Sequence, residues 1–250
     1  MASWSTKRRL IYGGSFVLIS ALVLLGIFFV IFYHAPTCGD GKQNGDETGL
    51  DCGGSCQLIC TSDTLKPVVL WSKIFNISGD VYTAVAYVEN PNVSSKNPKA
   101  TYQFSIFDNN NKLITVKDGE TNIPKNKKFA IFEFGLVLKN SKPKSAEFEF
   151  TSISPWQKDT QKEPQISIRH GALLSTTTPY IEGTMWNHSL ETIPNLELDV
   201  FVLDNNQNVI AASRTFVENL LKNSSQDFIF TWPRPFLGEA SIITVMYRTI

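Results

Sequence analysis

Residues 101–116 read TYQFSIFDNNNKLITV, and this stretch decides the fold. Up to Phe107 the chain alternates, with Tyr102, Phe104 and Ile106 on one side and Gln103 and Ser105 on the other. A period of two is that of a strand with one buried face. Asp108-Asn109-Asn110-Asn111 then turns the chain, because Asp and Asn side chains bond nearby backbone and tolerate positive φ. Leu113 to Val116 returns, so a β-hairpin is predicted.

The pattern recurs further along. An offset of 96 carries Phe107–Ile114 onto Leu203–Ile210, Pro98 onto Pro194, and Phe132 and Phe134 onto Phe228 and Phe230. An offset of 97 carries Pro67 onto Pro164 and Asn90 onto Asn187. A nearly constant offset over a whole domain means two copies of one unit. Further strands are predicted at 67–77, 80–89, 128–138 and 145–152 in the first copy. In the second they fall at 165–174, 179–187, 195–203, 208–216, 226–232 and 239–248, with a brief helical turn over 217–222. Short strands separated by frequent turns predict an all-β chain of two tandem immunoglobulin-like β-sandwiches. They span 63–155 and 165–250, and the polar, Pro-bounded segment 156–164 is read as their linker. Trp71, Trp186 and Trp232 are expected in the cores. Trp156 is expected either as an exposed contact or packed between the domains.

Ahead of the sandwiches lies a different kind of sequence. Leu10–Tyr33 is 24 residues without a charged side chain. As a helix it would be roughly 36 Å long, enough for a ~30 Å hydrocarbon core with some tilt. Lys7, Arg8 and Arg9 precede it, and no comparable basic cluster follows within the next thirty residues. Positive charge resists translocation, so residues 1–9 are read as a cytoplasmic tail, 10–33 as a transmembrane helix and the remainder as extracytoplasmic. A cleaved signal peptide shares this layout, but its apolar core is usually only ~7–15 residues. No clean small-x-small site follows at Phe32–Pro36, so an uncleaved single-pass anchor in the cell membrane is expected. Tyr33 and His34 suit the headgroup layer, and Gly13, Gly14 and Ser15 would admit a close partner helix.

The segment 34–62 holds every cysteine: Cys38, Cys52, Cys56 and Cys60. It has six Gly between Cys38 and Cys60 and almost no apolar residue, so cross-links must order it. Outside the membrane two disulfides are expected, in any of three connectivities. Zinc is the alternative, but no C-x-x-C pair is present. Asp40, Asn44, Asp46 and Asp51 offer hard oxygens around Gly45, as a calcium loop does. Against that, Lys42 stands where an oxygen ligand belongs, and a solvated turn explains the same residues. Calcium is thus the one cofactor in question.

The string Cys38-x-Asp40-Gly41-x-x-Asn44-Gly45-x-Glu47-Thr48-Gly49-x-Asp51-Cys52-Gly53-Gly54-x-Cys56 resembles a short module of bacterial surface and secreted proteins. Phe104-Ser105-Ile106-Phe107-Asp108 is similar to the F-x-L-Y-D signature of a bacterial sandwich-domain family, and Val200–Asp204 is a weaker version. These resemblances imply export, a bacterial source and no catalysis.

Composition narrows the function further. With 23 basic and 23 acidic residues and no basic stripe, nucleic acid is not an expected partner. No G-x-S-x-G, H-E-x-x-H or phosphate-loop motif occurs. His34, His170 and His188 are spread apart, and Asp108 and Asp204 hold equivalent turn positions, so no catalytic residue is assigned. Asn76, Asn92, Asn187 and Asn223 head N-x-S sequons, which matter only where the cell can glycosylate them. The expectation is a membrane-anchored binding or structural protein for adhesion or display, with an extracellular protein or glycan as ligand. The alternative is an accessory subunit of an envelope or secretion complex, assembled through its membrane helix.

Overall fold

The structure is a computed structural model that describes residues 4–32 and 37–250. The expected headgroup residues Tyr33 and His34 lie outside the described residues. The chain forms two compact units, Met1–Ser55 and Cys56–Ile250.

In the first unit, helix α1 spans Trp4–Phe32. It begins earlier than the apolar run, so Lys7, Arg8 and Arg9 ride on its opening turns, with the Arg8 guanidinium over the Trp4 ring at 4.0 Å. No acid or proline interrupts it, and the Ser15 hydroxyl donates to the Ile11 carbonyl at 2.7 Å. A lone polar group thus stays satisfied inside an apolar helix. Past Arg9 the helix is apolar on all sides, with mean hydropathy 2.7 over an 18-residue window of which nothing is buried. It is long and apolar enough to cross a membrane.

The second unit is antiparallel β. Its strands are β1 (Val68–Ser78), β2 (Val81–Glu89), β3 (Ser95–Asp108), β4 (Leu113–Ile123), β5 (Lys128–Val137) and β6 (Pro143–Ile153). Then follow β7 (Gln157–Lys158), β8 (Ile166–His170), β9 (Tyr180–Asn187), β10 (Ile193–Leu203), β11 (Val209–Leu220), β12 (Ser225–Thr231) and β13 (Ile242–Thr249). Sheet β1-β2-β5 faces sheet β4-β3-β6, around Ala84, Ala86, Val88, Tyr102, Phe104, Ile106 and Ile131. Sheet β8-β9-β12 faces sheet β11-β10-β13, around Ile181, Met185, Leu196, Leu198, Val200 and Phe230. The two sandwiches share one strand order.

A third apolar cluster joins them. Val85, Ala130 and Phe132, on the back of β1-β2-β5, meet Phe201, Val209 and Ala212, on the back of β11-β10-β13. Four sheets are therefore stacked in series. This explains why β2 and β10 are buried on both faces. Trp71 packs here, beside Phe201 at 4.8 Å between ring centres, and not inside a sandwich. Trp232 sits in the second core, while Trp186 is only half-buried.

The segment 156–164 is not a loose tether. Trp156 is only 6% exposed and belongs to the first core, so it is no surface contact. β7 pairs with β3, and the Asp159 amide donates to the Ser94 carbonyl at 2.8 Å. Lys125 pairs with Asp159 at 3.5 Å and donates to the Gln161 carbonyl, while Lys127 pairs with Glu163 at 2.6 Å. The Tyr247 hydroxyl donates to the Pro164 carbonyl at 3.3 Å.

Two local expectations differ from the structure. Residues 217–220 continue β11 instead of forming a helical turn, because Val217 and Leu220 are buried and Leu220 pairs with Ile193. The Phe-x-Phe correspondence is one residue out. Ala86 pairs with Ile131 and Gly183 pairs with Phe228, so Ile131 is the counterpart of Phe228. Phe132 therefore points away from the first core and into the cluster between sandwiches.

Candidate functional site

The cysteine-rich loop is ordered by its own polar groups. All four cysteines are disulfide-bonded and none is free, which makes two disulfides and no thiolate set for zinc. Asp40 accepts from the Lys42 amide at 2.9 Å and from Asn44 Nδ2 at 2.8 Å. Both carboxylate oxygens of Asp51 accept from the Gly41 amide, at 3.0 and 3.1 Å. Asp46 accepts from the Ser55 hydroxyl at 2.8 Å, and Glu47 from the Asn44 amide at 3.2 Å. The bond from Asn44 holds the Asp40 carboxyl below the ordinary aspartate range. Gly53 and Gly54 have φ of +80° and +51°; a Cβ on either would overlap Thr48 or the Asp46 carbonyl. Only glycine fits this corner. Asp40, Asp46 and Asp51 each answer a different donor. Among the described residues their carboxylate oxygens do not gather within 4.8 Å of one another. Asn44 Oδ1 is buried without a hydrogen-bond partner.

The two hairpin turns are built alike. Asp108 Oδ1 accepts from the amides of Asn110 and Lys112 at 2.8 and 2.9 Å, and Asn111 has φ +57°. Asp204 Oδ1 accepts from the amides of Asn206 and Asn208 at 2.9 and 2.8 Å, and Gln207 has φ +63°. Those bonds, the Asn208 amide's first, hold Asp204 below the ordinary range. In both turns Oδ1 of the aspartate is spent on backbone amides. At the other end of each sandwich an asparagine ties loops together. Asn90 Nδ2 donates to the carbonyls of Ser95 and Pro124, and Asn187 Nδ2 to those of Glu191, Leu220 and Leu221. Asn187 is 1% exposed and Asn92 is 8% exposed, so two sequons present no accessible amide.

Three features escape sequence reading. His188 Nε2 lies 2.7 Å from the Ser167 hydroxyl, because the pairing of β8 with β9 brings residues 21 apart together. Both are exposed, and among the described residues no carboxylate bonds this histidine. Tyr102 donates to Glu133 at 2.8 Å; burial and then that contact push its phenol well above the ordinary range, so it holds its proton at neutral pH.

The third feature is a buried ion cluster between the sandwiches. Arg214 grips Asp199 through two bonds of 2.6 and 2.9 Å and reaches Glu197 at 2.9 Å. Arg248 bonds the other oxygen of Glu197 and also donates to the Thr121 hydroxyl at 3.0 Å. Arg214 donates to the Ala130 carbonyl at 2.9 Å and lies 4.6 Å from the Phe132 ring centre. Two cations and two anions cancel, and both arginines bond across to the first sandwich. Burial raises the Asp199 carboxyl while Arg214 pulls against it. Four charges on alternating strand positions read as a solvated face. The hint in the sequence is Phe201, which shares that face.

No protein-family model matches the chain, and no curated protein does. Solved structures with partial likeness include a red sea bream transglutaminase, at 10% identity and TM-score 0.26, covering 72% of this chain and 29% of that one. A Bacteroides uniformis β-glucuronidase has 10% identity and TM-score 0.22, covering 68% and 28%. A β-glucuronidase of glycoside hydrolase family 2 has 10% identity and TM-score 0.20, covering 80% and 25%. The chain spans less than a third of the length of each.

Proposed function

We propose that this chain is a membrane-anchored, non-catalytic display or adhesion protein of a bacterial surface. In this reading α1 is an uncleaved anchor, Lys7–Arg9 keep its start in the cytoplasm, and the disulfide loop is a short stalk for the sandwiches outside. The stacking of both sandwiches through one apolar and ionic interface carries the reading, since a rigid body suits holding a binding surface away from the membrane. Disulfide-bonded cysteines fit an oxidising exterior. The carboxylates of Asp108, Asp204 and Asp199 are occupied by turn and interface bonds.

Protease added to intact cells tests the topology. Loss of residues 61–250 while the N-terminus stays protected is the expected result. Protection of the sandwiches, or four thiols alkylated without reduction, would overturn it.

The accessory-subunit reading is favoured by one observation. A Cβ added at Gly13 or Gly14 meets nothing within 4 Å, so that face of α1 is open to a neighbouring helix. Replacing 10–33 by poly-leucine separates the two. A mere anchor keeps its ligand binding, whereas an assembling helix loses its complex.

A further inference from the structure

The hairpin ends of the two sandwiches are closed differently. In the second, residues 232–241 connect β12 to β13 and lie over Ile210. A Cβ on Gly238 would stand 3.7 Å from the Ile210 Cγ2, and Phe236 and Ala240 pack onto the core beside it. In the first, β5 and β6 are joined only by residues 138–142. Ile114, the counterpart of Ile210, there lines a cavity of about 470 Å³. A ten-residue connection fills in one copy what a five-residue connection leaves open in the other.

The open space has a definite chemistry. Ile114, packed against the first core, gives it an apolar wall, and Asn110 and Asn140 also line it. Lys112 and Lys142 bring two ammonium groups, and Lys139 and Lys144 flank the latter in sequence. Asp108 also lines it, but its Oδ1 is taken by the Asn110 and Lys112 amides. The counterpart of Lys112 in the filled copy is Asn208, without charge. The volume lies in the range of small-ligand sites.

We propose that this cavity binds one acidic sugar unit of a glycan chain. The carboxylate or phosphate sits between Lys112 and Lys142, the apolar ring face lies on Ile114, and ring hydroxyls bond the asparagine amides. The site names a ligand class for the display reading and rests on it for where the ligand is met. Both ammonium groups are exposed, so binding is weak and falls with salt.

The test is calorimetry on the full chain in detergent at low ionic strength, with trigalacturonate as probe, maltotriose as neutral control and inorganic phosphate as bare anion. Trigalacturonate should bind, with a loss of about tenfold or more in Lys112→Ala/Lys142→Ala and several-fold at about 0.15 M salt. These side chains are exposed, so the variant should melt as the parent does. Absence of binding, equal binding of maltotriose, or an unaffected double variant overturns the proposal. Phosphate binding as tightly as trigalacturonate overturns its sugar part. Binding to purified protein does not depend on compartment, so this proposal and the surface reading fail separately.

Discussion

Strands β3 and β10 hold the same place in their sandwiches, each central in a three-strand path, and 96 residues separate their equivalent positions. Their inward residues agree: Ala100, Tyr102, Phe104 and Ile106 against Leu196, Leu198, Val200 and Val202. Their outward residues do not. Thr101, Gln103 and Ser105 remain partly exposed, with Thr101 bonding Thr151 and Gln103 bonding Asp118. Glu197, Asp199 and Phe201 are buried against the other sandwich. The same fold position is a wet face in one copy and a dry one in the other. The lesson is that a charge on an alternating strand does not by itself mean solvent. Glu197 and Asp199 are buried because Arg214 and Arg248 arrive from β11 and β13 to neutralise them.

The same contrast holds for the neighbouring strands of each sheet. The sheet face of the second copy that meets its neighbour carries Phe201, Ala212 and Val209, while the corresponding face of the first carries Thr101, Gln103, Glu147 and Glu149.

The contrast can be broken most severely at Arg214. Arg214→Ala leaves Asp199 and Glu197 buried without their partner and should cost about 3–5 kcal/mol in urea unfolding of the full chain. Gln103→Ala, at the counterpart of Asp199, should stay within about 0.5 kcal/mol. A cost for Arg214→Ala as small as that would mean the ions are solvated and the sandwiches part easily. Next comes Phe201→Ala, at about 3 kcal/mol, against almost nothing for Ser105→Ala; equal values would remove the distinction between wet and dry faces.

Two further measurements sharpen the likeness instead. Asn90→Ala and Asn187→Ala should each cost about 2 kcal/mol, since each strands two or more carbonyl acceptors, one of them buried. Clearly unequal costs would show that the loop ends are not equivalent. The smallest effect is that of pH on the Asp204 turn. Its carboxyl is held below the ordinary 3.8, so its contribution is complete above that value and disappears as pH falls through the folded-state value. Carbon-detected NMR should find its midpoint below 3.8; a midpoint at or above that would mean the turn bonds are not formed in solution.

Much of the molecule follows from local pattern. The unbroken apolar run dictates α1, and alternation around Phe104 and Val200 dictates strands with one core face. Asp108 and Asp204 dictate their turns through bonds to residues two and four further on. These are interactions between near neighbours, so spacing alone reveals them. The cysteine segment had to be cross-linked because it holds too little apolar surface to order itself.

Only the tertiary structure decided what covers each outward face. A period of two says which residues share a face, not whether water or another sheet lies against it. Trp71, Phe132 and Phe201 therefore appear as an interface only when both sandwiches are in place, and Trp156 proves to be core only when the segment 156–164 is laid down on the first sandwich. Likewise, the depth of the cavity beside Lys112 depends on how far residues 138–142 reach, compared with 232–241. Each of these outcomes depends on contacts between residues distant in the chain, and their energies add up only after the chain has folded.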